Sequence, residues 1–285
     1  MDQAIKFEKT NFIKNIWNKK PQLYKRPLHW NFELEINEIS SIALEEDNVS
    51  RLIELPDNKL ENLKYTQGPF SIDELSKLNE ATPWALMIQN LEEYFSELTH
   101  IKSTFDFIPE EIREDIMGVI CGPNGTTGPH IDRYSVFIIP ILGEKTWSIE
   151  SSETNEKDVD KRLLPNDDLK ILKDFNSENK FTVKEDEFLY IPPGFAHHAV
   201  SNELSLSLSY GVKTPRTQII LDVLYTRLIE KIHTDNRVNL RLSASGSLEF
   251  HQIESMSPLL KALIDENPEI NLSEIVTQAR QWEGF

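Results

Sequence analysis

The chain is short of cysteine, of positive charge and of long hydrophobic runs, and each shortage excludes a class of protein. A single cysteine, Cys121, excludes an intrachain disulfide framework and favours a reducing, intracellular setting. No apolar run is long enough for a membrane-spanning helix, and the first twenty residues are too polar for a secretory signal. With 285 residues the chain can bury a substantial core, so we expect a soluble, cytoplasmic protein.

The shortage of positive charge limits the classes of partner that the protein can bind. Lysine and arginine together number 30 against 47 aspartates and glutamates, which gives a net charge of -17. A surface that negative repels phosphate backbones and anionic membranes, so we expect neither nucleic acid nor a membrane as a direct partner. It would attract a basic protein or peptide. The alternative is that the acidity only keeps the protein in solution, because net charge does not determine the fold.

The middle of the chain, from Met117 to Val212, consists of short β-like segments separated by glycine, proline and asparagine. The segments are SVFIIPIL, KTWSIES, KFTVKEDEFLYIPPGFAHHAVS and LSLSLSYGV. Several short strands at such spacing predict a sandwich or a barrel, and the nearly continuous apolar run SVFIIPIL predicts a strand covered on both faces. The highly charged stretch 153–180 is interpreted as an insertion between strands.

Helical patterns flank this region. Apolar residues at helical spacing over 12–17 predict a helix that ends before Pro21, and Ser71 with Glu74 matches a capping box. Residues 234–285 predict a hairpin turning at Ser245–Gly246 and two short helices separated by Pro268. An apolar stripe at i, i+4 spacing after Pro215 would pack on the domain or on a second copy of the chain; it consists of Ile220, Leu224, Leu228 and Ile232.

The segment GPHIDRYSVFIIPILGEKTW carries candidate metal ligands. If the segment is a strand, His130 and Asp132 project together on the side away from Ile131. A catalytic metal needs a third ligand, and the best candidate is His197 in YIPPGFAHHAV, with the adjacent His198 as the alternative. Two histidines and a carboxylate on one face of a metal leave open positions for substrate and oxygen, as in non-haem Fe(II) oxygenases. Each residue alone is more often an ordinary surface or core residue, so the interpretation depends on the combination.

Lys145 begins the strand that follows the apolar run. A cation deep in a barrel needs a negative partner, because an unpaired buried charge is very unfavourable. A bound dicarboxylate could chelate iron with one end and meet Lys145 with the other. The alternative is a surface lysine at a hairpin, because Gly143–Glu144 looks like a turn.

These motifs resemble the JmjC-type 2-oxoglutarate oxygenases of the ribosomal-oxygenase (cupin-4) family, above all its bacterial members. The resemblance extends over residues 7–230. Its most specific segments are GPHIDRYSVFIIPILGEKTW and LYIPPGFAHHAVS; the others are FIKNIWNKKPQLYKR, QGPF and SLSYGVKTPRT.

The resemblance implies a role for each candidate site residue. It makes His130, Asp132 and His197 the iron ligands, with 2-oxoglutarate and O₂ as co-substrates. Lys145 stands where the family has the arginine or lysine that binds the distal carboxylate of 2-oxoglutarate. Ser209 is a candidate further contact; otherwise it belongs to the polar face of an alternating strand.

The resemblance also implies the architecture. It predicts a mainly β fold with helical additions, in which a double-stranded β-helix (cupin/JmjC) core is followed by a helical dimerisation region and a small winged-helix-like module. We therefore expect a catalytic domain with an N-terminal helical part at 1–213, a dimerisation region at 214–233 and a short C-terminal module at 234–285. Only about 70 residues follow Lys213, fewer than in the family, so the terminal module is expected to be reduced.

The expected function is Fe(II)- and 2-oxoglutarate-dependent hydroxylation of a protein side chain. By resemblance the substrate is a basic ribosomal protein with an arginine-type site, and the enzyme is a homodimer. One alternative is the same chemistry on another peptide, such as a small precursor peptide or a histone-like tail. An alternative of another class is a non-catalytic cupin module that recognises a peptide, against which the intact triad and Lys145 argue.

Overall fold

The computed structural model describes most of the chain and divides it into two compact units. The described ranges are 4–30, 32–57, 59–78, 82–165, 169–177, 179–234 and 272–283. The first unit comprises residues 1–106 and 113–213, and the second comprises 107–112 and 214–285. The division into three domains with boundaries at 213 and 233 stays a prediction, because 235–271 lie outside the described residues.

Twelve strands occur within the described ranges, all in the first unit. They are β1 Ile5–Lys6, β2 Gln22–Lys25, β3 Ser50–Glu54, β4 Lys64–Gln67, β5 Trp84–Ile88, β6 Arg113–Cys121, β7 Ser135–Leu142, β8 Lys145–Ile149, β9 Lys180–Val183, β10 Glu187–Ile191, β11 His197–Ser201 and β12 Ser205–Val212. The large sheet has the order β1-β2-β10-β7-β12-β6-β5-β3-β4, and the small sheet has the order β11-β8-β9. The mainly β core expected from the strand spacing is therefore confirmed.

The helices of the described ranges are short in the first unit and longer in the second. They are α1 Lys9–Asn11, continued by a π-helical turn at Phe12–Ile16, then α2 Ile36–Ile42, α3 Ile72–Ser76, α4 Thr99–Thr104, α5 Glu156–Arg162, α6 Thr217–Thr234 and α7 Leu272–Glu283. Single 3₁₀ turns lie at Leu60–Asn62, Leu91–Glu93, Ser96–Leu98 and Glu110–Ile112. No helix among the described residues is long and apolar enough to cross a membrane.

Strand β7 lies inside the large sheet between β10 and β12, and six of its eight residues are buried. Its alternate side chains face opposite sides of the sheet. Val136 and Ile138 pack toward the small sheet, while Phe137 packs into an aromatic cluster on the other side. That cluster consists of Phe7, Phe12, Trp17, Tyr24, Trp30, Phe105, Phe137, Phe188, Tyr190 and Tyr210. The prediction of a strand covered on both faces is confirmed.

Two helix predictions have different outcomes. The capping box is confirmed, because the hydroxyl of Ser71 accepts from the backbone N–H of Glu74, and the Glu74 carboxylate accepts from the backbone N–H of Ser71. The helix over 12–17 is wrong in detail, since those residues form the π-helical turn that continues α1. The carboxylate of Glu8 caps the start by accepting from two backbone N–H groups, so the helical segment begins at Lys9.

The strand expected over residues 130–132 is also wrong in detail. His130 forms a single isolated bridge with His197, and the chain then bends at Arg133–Tyr134 before β7 begins at Ser135. Asp132 is held by one backbone hydrogen bond, in which Gly194 N–H donates to its carbonyl oxygen at 2.9 Å. The bend explains why the predicted strand is absent, because it separates Asp132 from the strand pairing that begins at Ser135 in β7.

The charged insertion 153–180 connects β8 to β9, as expected, and packs beside the bridge. Within it, Leu172 is buried and its N–H donates to the carbonyl oxygen of Pro129 at 2.8 Å. Arg162 at the end of α5 forms two hydrogen bonds with the carboxylate of Glu150, at 2.9 and 2.5 Å. The insertion is thus tied to the end of β8 and to the residue before His130.

The second unit contains α6 and α7, which pack through Val223, Ile275 and Ala279. Ile220 and Leu224 of the predicted stripe pack against this cluster, so they face α7. The side chains of Leu228 and Ile232, the hairpin at Ser245–Gly246 and the break at Pro268 lie outside the described residues. The helical dimerisation region and the winged-helix-like module therefore remain predictions.

Gly128→Ala is expected to destabilise the fold more than Gly194→Ala. Both glycines have left-handed φ angles, +78° and +82°, so both substitutions introduce strain of about 1–2 kcal/mol. A Cβ at Gly128 would lie 2.5 Å from Cδ1 of the buried Ile171, whereas the nearest atom at Gly194 is Cβ of Glu153 at 3.5 Å. Overpacking should add about 1–3 kcal/mol at Gly128 alone.

Urea unfolding of the two variants, followed by circular dichroism, measures this difference in unfolding free energy. Equal destabilisation by the two substitutions would contradict the tight contact between Gly128 and the insertion.

Candidate functional site

A cavity of about 240 Å³ in the first unit is lined by residues of both sheets. The lining residues from the large sheet are Arg51, Ile53, Tyr65, Met87, Met117, Val119, Cys121, Val136, Ile138, Ser207 and Ser209; those from the small sheet are Lys145, Trp147, His197 and Ala199; and those from other segments are Thr126, Thr127, His130, Asp132, Tyr134 and Leu169. All five site residues expected from the sequence therefore line one cavity.

Backbone pairing brings His130 and His197 side by side. Each donates its N–H to the carbonyl oxygen of the other at 3.0 Å, as in a hydrogen-bonded pair of an antiparallel ladder. Residues paired in this way project to the same face, and the two imidazole centroids lie 4.3 Å apart. The Asp132 carboxylate completes a group of three, whose candidate ligand atoms all lie within 4.8 Å of one another.

The hydrogen bonds of the two histidines define which ring nitrogens are free. Nδ1 of His130 lies 2.8 Å from the carbonyl oxygen of Gly128, and Nδ1 of His197 lies 2.9 Å from that of Phe195. A carbonyl oxygen only accepts, so both Nδ1 atoms carry the proton. The Nε2 atoms of both rings lie near Asp132, whose Oδ2 is 3.7 Å from His130 Nε2 and 3.6 Å from His197 Nε2.

Burial keeps His197 neutral. Removal from water, and then the neighbouring His130, lower the pKa of His197 to about 4. At neutral pH the 3.6 Å approach of Asp132 is therefore not an ion pair, and Nε2 of His197 is available as a ligand atom.

The three residues fit a divalent transition metal. Ligand atoms around one ion with bonds of about 2.1 Å lie roughly 3–3.5 Å apart, close to the two separations above. Two imidazole nitrogens and one carboxylate oxygen are the donor set of non-haem Fe(II) oxygenases. The backbone acceptors of both Nδ1 atoms are the outer contacts that orient histidine ligands.

His198, the alternative ligand, points away from this group. Its Nε2 lies 2.9 Å from Oγ1 of Thr126, and its ring meets Phe175 of the insertion edge-on at 5.8 Å. His198 is not among the lining residues of the cavity. Successive strand residues face opposite sides, which accounts for the different directions of His197 and His198.

Lys145 is buried, and its Nζ donates to Oγ of Ser207 at 2.8 Å and to the carbonyl oxygen of Val119 at 3.3 Å. No carboxylate within the described ranges lies within 4.0 Å of this ammonium group. A buried lysine without an anion is unfavourable, so the arrangement favours an anionic ligand in the cavity. The alternative of a surface lysine at a hairpin is wrong.

Three further lining residues were not identified from the sequence. Ser207, rather than Ser209, makes the hydrogen bond to Lys145, although both serines line the cavity. The alternation LSLSLS over residues 204–209 places both serines on one strand face, so spacing could have indicated Ser207. Trp147 lies two residues after Lys145 on β8 and stacks on His197, with ring centroids 6.1 Å apart.

Tyr134, the third of these residues, follows Asp132 in the cavity wall. The Asp132 carboxylate, followed by burial, raises the pKa of Tyr134 well above its usual range. Its hydroxyl is therefore a neutral donor next to the candidate ligands at any physiological pH.

The lining of the cavity does not share the net negative charge of the chain. Asp132 is the only carboxylate among the described residues that line the cavity, whereas Arg51 and Lys145 both contribute positive charge. The excess of acidic residues therefore lies elsewhere on the molecule.

Comparisons with known proteins find one matching family model and two bacterial relatives. A family model described as a JmjC domain matches residues 100–220. The ribosomal protein uL16 3-hydroxylase of Escherichia coli K12 is 26% identical, over 98% of this chain and 74% of that relative. A probable ribosomal oxygenase of Haemophilus influenzae is 28% identical, over 87% of this chain and 62% of that relative.

Solved structures show the same fold. The E. coli ribosomal oxygenase YcfD in complex with cobalt and 2-oxoglutarate matches with a TM-score of 0.67 and 23% identity, covering 93% of this chain and 69% of that one. Another E. coli YcfD structure matches with a TM-score of 0.67 and 24% identity, covering 94% and 70%. The resemblance to JmjC-type oxygenases is confirmed, while the roles of the individual site residues stay predictions.

Divalent metal binding should depend on His197 and not on His198. His197→Ala removes an Nε2 donor, so we expect Mn(II) affinity to fall by more than the roughly 10–100-fold effect of losing an outer contact. His198→Ala is the matched control and should keep affinity close to that of the unmodified protein. Titration of Mn(II), followed by electron paramagnetic resonance, measures both; equal losses in the two variants would contradict the assignment.

Proposed function

We propose that this chain, whose residues 100–220 match the JmjC-domain model, is an Fe(II)- and 2-oxoglutarate-dependent oxygenase that hydroxylates a side chain of a protein. One observation carries the proposal: a group of two histidines and one aspartate, with ligand atoms within 4.8 Å, shares a cavity with a buried lysine that has no carboxylate partner among the described residues. The first part suits a metal, and the second suits an anion.

His130, Asp132 and His197 would hold the iron. When bound, iron and 2-oxoglutarate supply the oxidising power that inserts one atom of O₂ into a C–H bond, and 2-oxoglutarate leaves as succinate and CO₂. The protein contributes neutral Nε2 donors fixed by backbone carbonyls and a cavity with largely apolar walls that limits water.

Lys145 would receive the carboxylate of 2-oxoglutarate that lies farther from the iron. The ammonium group is already positioned by Ser207 and the carbonyl oxygen of Val119, so a bound carboxylate would complete its contacts. Ser209 lies on the same face of β12 as Ser207, and we propose it as a further contact to 2-oxoglutarate.

A cytoplasmic ribosomal protein is the proposed substrate. The two relatives are named for uL16 hydroxylation and for ribosomal oxygenation, and a net charge of -17 would attract a basic protein segment. By the resemblance, the residue proposed for hydroxylation is an arginine of that protein.

Formation of succinate from 2-oxoglutarate tests the reaction. We expect the purified protein with Fe(II), ascorbate and O₂ to form succinate, and His130→Ala to abolish it. Mass spectrometry of ribosomal proteins from cells with and without the gene should then show one protein heavier by one oxygen atom. Metal binding without succinate formation in the presence of ribosomal proteins would support the non-catalytic binding module.

Lys145→Met should weaken 2-oxoglutarate binding while leaving Mn(II) binding intact. The substitution keeps the length of the side chain but removes a charge-assisted contact at a desolvated site, which is typically worth about 2–5 kcal/mol. Calorimetric titration of 2-oxoglutarate into the Mn(II) form measures the loss. An unchanged dissociation constant would remove Lys145 from the binding site.

We also propose a homodimer formed through the second unit. The expected stripe is partly covered, but Leu221 and Tyr225 on α6 and Trp282 on α7 are 51%, 65% and 50% exposed. Apolar residues of this size favour association. Light scattering at micromolar concentration should give a particle of twice 33.0 kDa, and Tyr225→Glu should yield the monomer; a monomeric unmodified protein would refute the dimer.

A further inference from the structure

The turn before His130 determines how the His130 ring is oriented. Residues 125–129 lie between β6 and the bridge that His130 forms with His197. Within this turn Gly128 has a left-handed φ angle of +78°, and its carbonyl oxygen lies 2.8 Å from Nδ1 of His130. The orientation of the imidazole therefore depends on the orientation of the Gly128 carbonyl group.

The side chain of Thr126 holds Gly128 in this conformation. Its Oγ1 accepts from the backbone N–H of Gly128 at 2.9 Å, in the local turn that threonine forms with the residue two positions later. Thr126 is 4% exposed, so water competes little for this bond. The same oxygen lies 2.9 Å from Nε2 of His198. Thr126 thus joins the turn that carries His130 to β11, the strand that begins with His197.

Gly128 depends on this hydrogen bond more than another residue would. Glycine has no side chain to restrict its backbone, and the next residue, Pro129, has no N–H that could hold the turn. Among the described residues, Thr126 is the only hydrogen-bond acceptor of the Gly128 N–H. Loss of the Thr126 oxygen would leave this buried N–H without a partner, which is unfavourable. Rotation of Gly128 would relieve the loss, and the carbonyl group would turn with it.

We propose that Thr126 is a positioning residue for the candidate ligand His130. Through Gly128 it holds the imidazole in the orientation and the tautomer that place an unprotonated Nε2 near Asp132. The inference rests on the proposed function, because it treats His130 as an iron ligand. The bond between Thr126 and Gly128 does not require His198, so His198→Ala should leave the ring of His130 in place.

Mn(II) affinity is the first test. Thr126→Val keeps the shape of the side chain and removes the oxygen, so we expect affinity to fall about tenfold, as for the loss of an outer contact. Thr126→Ser keeps the oxygen and should keep the affinity. Thr146→Val is the matched control, because it removes a 2.9 Å hydrogen bond to Asn202 at a position that does not line the cavity. Titration followed by electron paramagnetic resonance measures all three variants.

Co(II) in place of Mn(II) shows whether one ring or both are disturbed. The Nδ1 proton of a histidine bound through Nε2 gives its own paramagnetically shifted NMR signal, which disappears in D₂O. We expect one such signal from His130 and one from His197. Thr126→Val should move or broaden only one of them, because the Nδ1 proton of His197 is held by the carbonyl oxygen of Phe195. A general loss of stability would disturb both signals.

A measurement without metal separates this proposal from the proposed function. In protein labelled with nitrogen-15 histidine at mildly alkaline pH, NMR reports which ring nitrogen carries the proton, and His130→Gln assigns the His130 signal by its loss. We expect the Nδ1–H tautomer in the unmodified protein and a mixture of tautomers in Thr126→Val. If the protein binds no Mn(II) and forms no succinate, the oxygenase assignment fails. The tautomer still decides whether Thr126 controls His130.

Four results would refute the positioning role. They are unchanged Mn(II) affinity in Thr126→Val, an equal loss in Thr126→Ser or Thr146→Val, equal disturbance of both Co(II)-shifted signals, and an unchanged tautomer of His130 in Thr126→Val. Thermal unfolding verifies that each variant folds. Thr126→Ala replaces Thr126→Val if the latter does not fold, because both variants lack the oxygen.

Discussion

The candidate site depends on two backbone hydrogen bonds, each 3.0 Å long, by which His130 and His197 pair. They join the irregular segment before β7 to the first residue of β11, which are distant in sequence. Because paired residues project to the same face, the same two bonds deliver both imidazoles to the cavity. Gly194 N–H holds the backbone of Asp132 in the same way. The three side chains therefore converge through backbone contacts of the fold.

The charged insertion 153–180 explains why such an irregular segment can hold its position. Leu172 pairs with Pro129, and Arg162 fixes the insertion to Glu150 at the end of β8. The insertion thus links the small sheet to the residue just before His130. Its charge is on the outside, while Ile171 and Leu172 are buried beneath. A segment that composition describes as a solvated loop is part of the support of the candidate site.

Much of the fold follows from the spacing of residues in the sequence. Period-two alternation predicted β12, and a continuous apolar run predicted the doubly covered β7. The candidate ligands could be found because their types are rare and their spacing is local. The geometry that unites them could not, because the bend after Asp132 and the pairing of His130 with His197 depend on contacts that are distant in sequence. Arg51 has no local signal at all, since it reaches the cavity only through the order of strands in the large sheet.

Charge is distributed unevenly between the exterior and the cavity, and this separation can divide recognition into two steps. The chain as a whole has a net charge of -17, and charges on the exterior act over about 8 Å at physiological ionic strength, so they govern the approach of a basic protein. The cavity contains Arg51, Lys145 and a single carboxylate, so it selects by contact. Lys145 is buried and donates a hydrogen bond to Ser207. Arg51 lies at the other end of the row of paired strand residues that includes Ser207, and its N–H groups have no hydrogen-bond partner among the described residues. Of these two cations, the buried Lys145 suits the anion of a small co-substrate, because it shares the cavity with the three candidate metal ligands.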